Sequence, residues 1–224
     1  MLLKVKNINK SYKGVGSEDF NIFKNLDFAL EQENIVTIYG PSGIGKTTFL
    51  NMLGTVDSPD SGSIFLNGIK YSLKNFQILR RDHIGYMFQF HYLLPEFTIF
   101  ENLDLTLRIK GENSSKKIKN LIDEALKNFK IFDKINSYPS HLSGGEKQKI
   151  SLARSIINNP SLVLADEPTG SLDSDSANLI IDKIQSISKE RGIKFIIATH
   201  NKKFERISDS IYDISNLTLV KKII

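Results

Sequence analysis

The chain has 224 residues, of which 40% are hydrophobic and 25% are charged, and this composition is typical of a globular domain rather than a disordered one. It contains no cysteine, which excludes a disulfide framework, a thiolate zinc site and a cysteine nucleophile. The length fits one domain, or one domain with an inserted lobe, and the net charge of +5 suits a polyanionic ligand such as a nucleotide.

The sequence offers no membrane span, because a spanning helix needs about 20 consecutive apolar residues and the apolar runs here are short. Residues 1–6 alternate between apolar and polar side chains, and they lack the apolar core and the cleavage site of a signal peptide. We therefore expect the protein to stay in the cytoplasm and to meet a membrane only through a partner.

Strand-like and helix-like segments alternate along the chain, a pattern that favours a mostly parallel α/β sheet. Strands are predicted at residues 2–8, 28–30, 35–39, 64–68, 162–165 and 194–198. Helices are predicted at residues 46–53, 144–158 and 174–191. The last two strands are continuous apolar runs, as expected for strands that are buried on both faces of a sheet.

The segment at residues 91–157 differs, because the stretches 98–109, 115–129 and 144–158 look helical and no clear strand separates them. We interpret it as a helical lobe inserted into the α/β core. Its lysines lie among acidic residues, so a solvated helix face is favoured over a partner-binding patch. These lysines are Lys116, Lys117, Lys119, Lys127 and Lys130.

Residues 40–48 fit the phosphate-binding loop G-x-x-x-x-G-K-[ST], with a predicted strand before them and a predicted helix after them. Glycines let the backbone turn tightly and aim N–H groups at a polyphosphate, and the following helix adds its positive dipole end. Lys46 would neutralise β- and γ-phosphate charge, and the Thr47 hydroxyl would ligate Mg²⁺. The residues expected at the nucleotide are Gly40, Pro41, Ser42, Gly43, Ile44, Gly45, Lys46, Thr47 and Thr48.

Two carboxylates, Asp166 and Glu167, follow the apolar run at residues 162–165. A buried strand would deliver both to the carboxyl edge of the sheet, where ligands bind in open α/β folds. Asp166 would hold Mg²⁺, directly or through water. Glu167 would face the γ-phosphate and accept a proton from the attacking water.

His200 follows another apolar strand and would reach the same edge, where an imidazole can bond to a γ-phosphate. From spacing alone, a structural histidine is the favoured interpretation. Neither H-x-E nor H-E-x-x-H spacing occurs, which argues against a transition-metal site.

Ser143 begins a predicted helix as its N-cap, with Glu146 at the capping-box position. A capped helix is the plain interpretation. The alternative is that Ser143, Gly144 and Gly145 expose N–H groups suited to a phosphate, which would give the chain two phosphate-binding features about 100 residues apart.

In this order the motifs resemble the ATPase subunits of ATP-binding cassette (ABC) transporters, over nearly the whole chain. Residues 40–48 match the Walker A loop, residues 162–167 match Walker B, and residues 142–148 resemble the ABC signature. The signature is the motif that best distinguishes this family from other phosphate-loop enzymes, because those enzymes lack it.

The resemblance also assigns single residues outside these three motifs. It implies that Gln89 is the Q-loop glutamine at the nucleotide and Mg²⁺, that Asp173 belongs to the D-loop, and that His200 is the switch histidine. Tyr12, placed just after the first strand, would stack on adenine, with a core or surface tyrosine as the alternative. The implied catalytic residues are Glu167, His200, Lys46 and Gln89.

The implied fold is α/β, a P-loop NTPase (RecA-like) core with a small antiparallel β-subdomain and an inserted α-helical subdomain. It forms a single domain over residues 1–224. Residues 1–90 and 158–224 would be the nucleotide-binding core with its β-subdomain, and residues 91–157 the helical subdomain.

Residues 53–62, 93–102 and 165–173 resemble one branch, the stand-alone subunits of lipoprotein-release, macrolide-export and antimicrobial-peptide-export systems. Four departures occur, none of which removes a catalytic group. They are Thr47 for the commoner Ser, Lys149 for Arg, Asn201 for Asp, and a C-terminus without the usual Asp-Gly turn.

The resemblance implies an ATPase that uses ATP and Mg²⁺, forms a homodimer on ATP binding and drives a transmembrane permease at the cytoplasmic face of the cell membrane. An alternative is a cassette that transmits force to a membrane regulator of cell-wall enzymes without transport. Action on DNA or the ribosome is disfavoured, because the chain has one cassette and no sustained heptad, so we expect no nucleic-acid partner.

Residues 89–97 are unusually apolar for a connector between core and helical lobe. Some of them must pack inside the protein. We expect the others, Tyr92 and Leu94 among them, to line a groove that receives a short helix from the transmembrane subunit, since such grooves use clustered aromatic and aliphatic anchors.

Overall fold

The computed structural model describes residues 1–14 and 19–222. The elements in chain order are β1 (Leu3–Lys13), β2 (Asp19–Leu30), β3 (Ile35–Tyr39), α1 (Lys46–Leu53), β4 (Ser61–Leu66), β5 (Ile69–Lys70), α2 (Phe76–Asp82), β6 (Ile84–Met87), α3 (Ile99–Ile109), α4 (Ser115–Asn128), α5 (Gly144–Ile156), β7 (Leu162–Asp166), α6 (Ser174–Arg191), β8 (Lys194–Ala198), β9 (Ser210–Ser215) and β10 (Thr218–Lys221). Short 3-10 turns lie at Phe132–Lys134, Pro139–His141 and Lys202–Ile207.

Six strands form the central sheet in the order β10-β9-β3-β8-β7-β6. All neighbours pair in parallel except β10, which pairs antiparallel with β9. Every residue of β3 and β7 is buried, as expected for central strands covered on both faces. The carboxyl ends of β3, β7 and β8 meet at one edge of the sheet, so the segments that follow them are brought together there.

A second, antiparallel sheet has the order β2-β1-β4-β5 and forms the expected β-subdomain. Its first two strands have 11 and 12 residues, longer than the predicted stretches 2–8 and 28–30. Irregular pairing between β1 and β2 interrupts the alternation that a sequence pattern would show. Tyr12 therefore lies inside β1 and not after it.

The C-terminal strands β9 and β10 form a hairpin although the chain lacks the Asp-Gly turn that the family usually has there. Its turn residues Asn216 and Leu217 have φ values of 50° and 61°, which is the left-handed conformation that a type I′ turn requires at both positions. Leucine stands where glycine is usual, at a cost of about 1 kcal/mol. The turn is kept without the Asp-Gly sequence.

The helical lobe consists of α3, α4 and α5, and the segment between β6 and β7, which is described throughout, contains no strand. Its core joins that of the sheet, because Ile122 of α4 and Val163 of β7 belong to one buried hydrophobic cluster. Helix α5 lies directly on β6, where a Cβ at Gly85 would come within 1.9 Å of the Ser155 carbonyl oxygen. Only glycine allows this approach. The proposed limits of the subdomains stay a prediction.

None of the helices in the described parts of the chain is long and apolar enough to cross a membrane.

Candidate functional site: a phosphate cavity at the carboxyl edge of the sheet

The loop between β3 and α1 ends at a helix N-terminus that is left free. Gly45 is the N-cap of α1 with φ 115°, and a Cβ there would lie 2.6 Å from Ile22 Cγ2, so glycine is required. Within the described residues no side chain caps α1, whereas Thr98, Ser114 and Ser143 cap their own helices. The first N–H groups of α1 are therefore available to an anion.

The Lys46 ammonium is fixed against the backbone of this loop. The residue is 7% exposed, and its Nζ donates to the carbonyl oxygens of Gly40 at 2.7 Å and Pro41 at 3.1 Å. Glu167 Oε1 lies 3.8 Å from the same nitrogen. A cation that is largely removed from water in this way interacts strongly with a bound phosphate.

Thr47 and Asp166 both line this part of the structure and are joined by a hydrogen bond. Thr47 Oγ1 donates to Asp166 Oδ2 at 2.7 Å, which ties α1 to the end of β7. Asp166 is buried, and its other oxygen, Oδ1, has no hydrogen-bond partner in the described structure. Burial raises the pKa of the Asp166 carboxyl above its usual range. A nearby cation would relieve this unpaired carboxylate, so the two residues fit Mg²⁺.

Glu167 is held by three neighbours, the last residue of β8 and the two residues that follow it. Its Oε2 accepts from Thr199 Oγ1 at 2.9 Å, and its Oε1 lies 3.0 Å from His200 Nδ1. Its backbone N–H donates to the Ala198 carbonyl oxygen at 2.8 Å, and its φ of 43° is a left-handed value. A glutamate in this rarely adopted conformation is often part of a functional site.

A cavity of about 280 Å³ is lined by half of the predicted site residues. Its lining consists of Ser42, Gly43, Gly45, Lys46, Thr47, Thr48, Gln89, Asp166 and Glu167. The volume is below the roughly 300–1,000 Å³ that encloses a drug-sized ligand. It therefore suits the phosphates of a nucleotide, with the base outside.

Tyr12 lies beside this cavity and is 42% exposed. Its hydroxyl donates to Asp57 Oδ2 at 2.7 Å. The pKa of the Tyr12 hydroxyl is raised by burial and by this carboxylate, and a hydrogen bond with the Thr48 side chain acts in the opposite direction. The contact with Thr48 places the ring next to the phosphate loop.

The signature residues do not line the cavity. Ser143 caps α5 as predicted, with Ser143 Oγ accepting from Glu146 N at 3.3 Å and Glu146 Oε2 accepting from Ser143 N at 2.8 Å. These hydrogen bonds lower the pKa of Glu146. A Cβ placed on Gly144 would meet no described atom within 4 Å, so none of the described residues requires glycine there.

Asp173 is likewise occupied within its own chain. Its carboxylate caps α6 by accepting from the backbone N–H groups of Asp175 and Ser176, each at 3.0 Å. These bonds lower the pKa of Asp173, and the residue does not line the cavity. The expected contact of Asp173 with a nucleotide stays a prediction.

Sequence reasoning missed two residues that shape the site, Thr199 and Arg154. Arg154 on α5 donates to the backbone carbonyl oxygens of His91 and Tyr92, which have φ values of 59° and 44°. The arginine thereby holds the loop that follows Gln89. Neither contact has a signal in the sequence, because each joins residues that lie far apart along the chain.

A groove of about 720 Å³ runs between α2, β6, α3 and α5. Tyr92, 62% exposed, lines it together with Phe88, Ile78 and Ile109. Leu94 does not line it, since Asn102 holds the backbone of Leu94 at 2.8 and 3.1 Å. The prediction for Tyr92 as a groove residue is therefore confirmed and that for Leu94 is wrong, while the docking of a partner helix in this groove stays a prediction.

The sequence of this chain is similar to those of known proteins over most of its length. The sequence profile described as "ABC transporter" matches residues 23–170. The lipoprotein-releasing system ATP-binding protein LolD of Buchnera aphidicola is 42% identical over 204 residues, which cover 90% of this chain and 89% of the relative. LolD 2 of Chlorobium chlorochromatii is 39% identical over 224 residues, covering 96% and 92%.

Two solved structures have the same fold. The dimeric post-hydrolysis state of the ATP-binding cassette MJ0796, bound to ADP and Pi, superposes with a TM-score of 0.91 at 32% identity, over 99% of this chain and 98% of that one. A dimeric structure of MJ0796, described as a bacterial ABC transporter cassette, gives a TM-score of 0.91 at 33% identity. These likenesses confirm the RecA-like core with its β-subdomain and inserted helices. The chain therefore belongs to the ABC transporter family, as a cassette that binds and hydrolyses ATP.

Proposed function

We propose that two copies of this chain bind two ATP molecules between them, each copy completing the site of the other. The observation that carries this proposal is the N-terminus of α5, where a Cβ added to Gly144 would meet no described atom within 4 Å and where Gly144 lies outside the chain's own phosphate cavity. A two-fold axis would place Ser143, Gly144 and Gly145 of one copy over the phosphates held by the other. The dimeric MJ0796 structures support this arrangement.

Within each site, the chain's residues have separate tasks. The free N–H groups of α1 and the Lys46 ammonium bind the β- and γ-phosphates, and the Tyr12 ring stacks on the adenine. Glu167 accepts a proton from the attacking water, while Thr199 and His200 hold its carboxylate. His200 also reaches toward the γ-phosphate, and Asp173 approaches the nucleotide only after assembly.

Thr47 and Asp166 would hold Mg²⁺, with Gln89 from the opposite wall of the cavity. Mg²⁺ bound beside a nucleotide is held by few protein side chains, and phosphate oxygens and water complete its shell. When bound, the ion supplies charge that stabilises the transferred phosphoryl group.

Replacing Ser143 with arginine tests the completion of one site by another chain. A bulky cation at the N-terminus of α5 should block the partner's phosphates, so turnover should fall to background while each isolated chain keeps its affinity for ATP. Phosphate release and nucleotide titration measure the two quantities. Ser114→Arg is the matched control, because it removes the serine N-cap of α4 at a similar cost of about 1 kcal/mol. Full turnover in Ser143→Arg would rule out this role of α5.

We further propose that the ATP cycle drives a membrane permease that releases or exports a lipoprotein-type substrate, with this chain held at the cytoplasmic face of the membrane by the permease. The support is the naming of the relatives as lipoprotein-releasing system ATP-binding proteins. The groove beside Tyr92 is the surface that fits a short helix of that partner. A cassette that moves a cell-wall regulator would use the same groove, and the two functions differ only in the protein that it holds.

Tyr92→Ala should weaken binding of the membrane partner about tenfold or more, because exposed aromatic side chains in a groove are the usual anchors of an interface. Co-purification from detergent at graded partner concentrations measures this loss. Leu94→Ala is the matched control in the same loop, and unfolding midpoints check that both variants are folded. Equal retention of the partner by the two variants would place the interface elsewhere.

A further inference from the structure

Tyr12, which we propose stacks on adenine, contacts the carboxylate of Asp57 and the ammonium of Lys10. Asp57 Oδ2 accepts from the Tyr12 hydroxyl at 2.7 Å, and its Oδ1 accepts from Lys10 Nζ at 2.9 Å. The same ammonium donates to the Ser58 carbonyl oxygen at 2.9 Å and lies 4.8 Å from the centre of the Tyr12 ring. Asp57 thus holds the hydroxyl of Tyr12, and Lys10 contacts its ring.

The pair is built into the fold and does not lie loosely on the surface. Lys10 is 7% exposed, which is unusual for a lysine, and the Asp57 carboxyl has its pKa lowered by hydrogen bonds from Tyr12 and Lys10 that outweigh its burial. The backbone N–H of Asp57 donates to the Asn51 carbonyl oxygen at 3.1 Å, in the last turn of α1. The helix that begins at the phosphate loop is therefore connected to the tyrosine ring through Asp57.

We propose that Asp57 and Lys10 are positioning residues for recognition of the base, an inference that rests on the proposed role of Tyr12. The hydrogen bond fixes the position of the hydroxyl end of the side chain, and the ammonium lies over the ring, so the ring is held in place before ATP binds. Holding a side chain in its bound conformation removes the entropic cost of ordering it on binding. Neither Asp57 nor Lys10 lines the phosphate cavity, so we expect their contribution to be confined to ligands that carry a base.

The inference predicts a loss that depends on the base. Asp57→Ala should weaken ATP binding about 2- to 10-fold, from the usual cost of immobilising a side chain, and leave the affinity for inorganic tripolyphosphate as it was. In turnover the change should appear in KM and not in kcat. Glu124→Ala, at an exposed position of α4, serves as the control for the loss of one negative charge. Displacement of a fluorescent ATP analogue by ATP and by tripolyphosphate gives both affinities.

A double-mutant cycle tests the hydrogen bond between Tyr12 and Asp57 itself. Tyr12→Phe removes only the hydroxyl, so it should reproduce the effect of Asp57→Ala, and the double variant should be no weaker than either single one. Asp57→Asn keeps an acceptor for the hydroxyl and should recover part of the affinity. Should Asp57→Ala fail to fold, the comparison of Tyr12→Phe with the wild type still decides.

Two results would overturn different parts of the account. Suppose that Tyr12→Ala loses ATP affinity while Asp57→Ala and Tyr12→Phe both keep the wild-type affinity. The ring would then bind the base without the hydrogen bond to Asp57. Equal losses for ATP and tripolyphosphate in Asp57→Ala would also reject positioning of the base. Wild-type ATP affinity in Tyr12→Ala would instead remove the adenine platform from the proposed function.

Discussion

Replacing Lys46 with alanine is expected to weaken ATP binding about 10- to 100-fold and to abolish turnover, from the usual worth of a hydrogen bond to a charged group. The ammonium lies at the wall of the cavity, nearly buried and already aimed by two carbonyl oxygens. A phosphate bound there without it would lose its main counter-charge. Titration with a fluorescent nucleotide measures the affinity, and Lys70→Ala is the matched control. Wild-type affinity in Lys46→Ala would contradict the assignment of the phosphate site.

Replacing Glu167 with glutamine is expected to lower kcat about 10²- to 10⁴-fold, the usual cost of losing a general base. The amide has nearly the shape of the carboxylate and can still accept from Thr199 Oγ1, so the cavity and ATP affinity should be kept. Phosphate release under saturating ATP measures the rate. Glu124→Gln, on an exposed position of α4, controls for the change in charge. Undiminished turnover would exclude Glu167 as the base.

The centre of the site could be predicted from sequence because its parts are local. A strand, a turn and a helix follow one another at the phosphate loop, and the order of chain segments alone places Lys46 and Thr47. Asp166 and Glu167 follow from a buried strand in the same way, since parallel strands end at one edge of a sheet. The structure places all four residues in one cavity.

What could not be predicted depends on contacts between distant residues. Tyr12 and Asp57 are 45 positions apart, and Arg154 is 62 positions from Tyr92, so no periodicity or spacing announces either contact. Strand β6 is short, contains Gly85, and gains its place only by pairing with β7 and by the close approach of α5. Tertiary packing, and not the local conformational preference of the sequence, determines these contacts and the position of β6.

The N-terminus of α5 does not line the phosphate cavity of its own chain, so under the proposed function a second chain must bring its α5 there. ATP would join the chains, and hydrolysis would let them part. Glu167→Gln should stop the cycle at the joined state. Adding Ser143→Arg to this variant should prevent joining without removing ATP from either chain.

The mass of Glu167→Gln in solution, measured by light scattering coupled to gel filtration, tests this account most directly. In ATP and Mg²⁺ we expect a particle of twice 25.3 kDa, and in ADP, or with Ser143→Arg added, a particle of 25.3 kDa. A mass of 25.3 kDa for Glu167→Gln in saturating ATP, over a range of salt concentrations, would contradict the shared site.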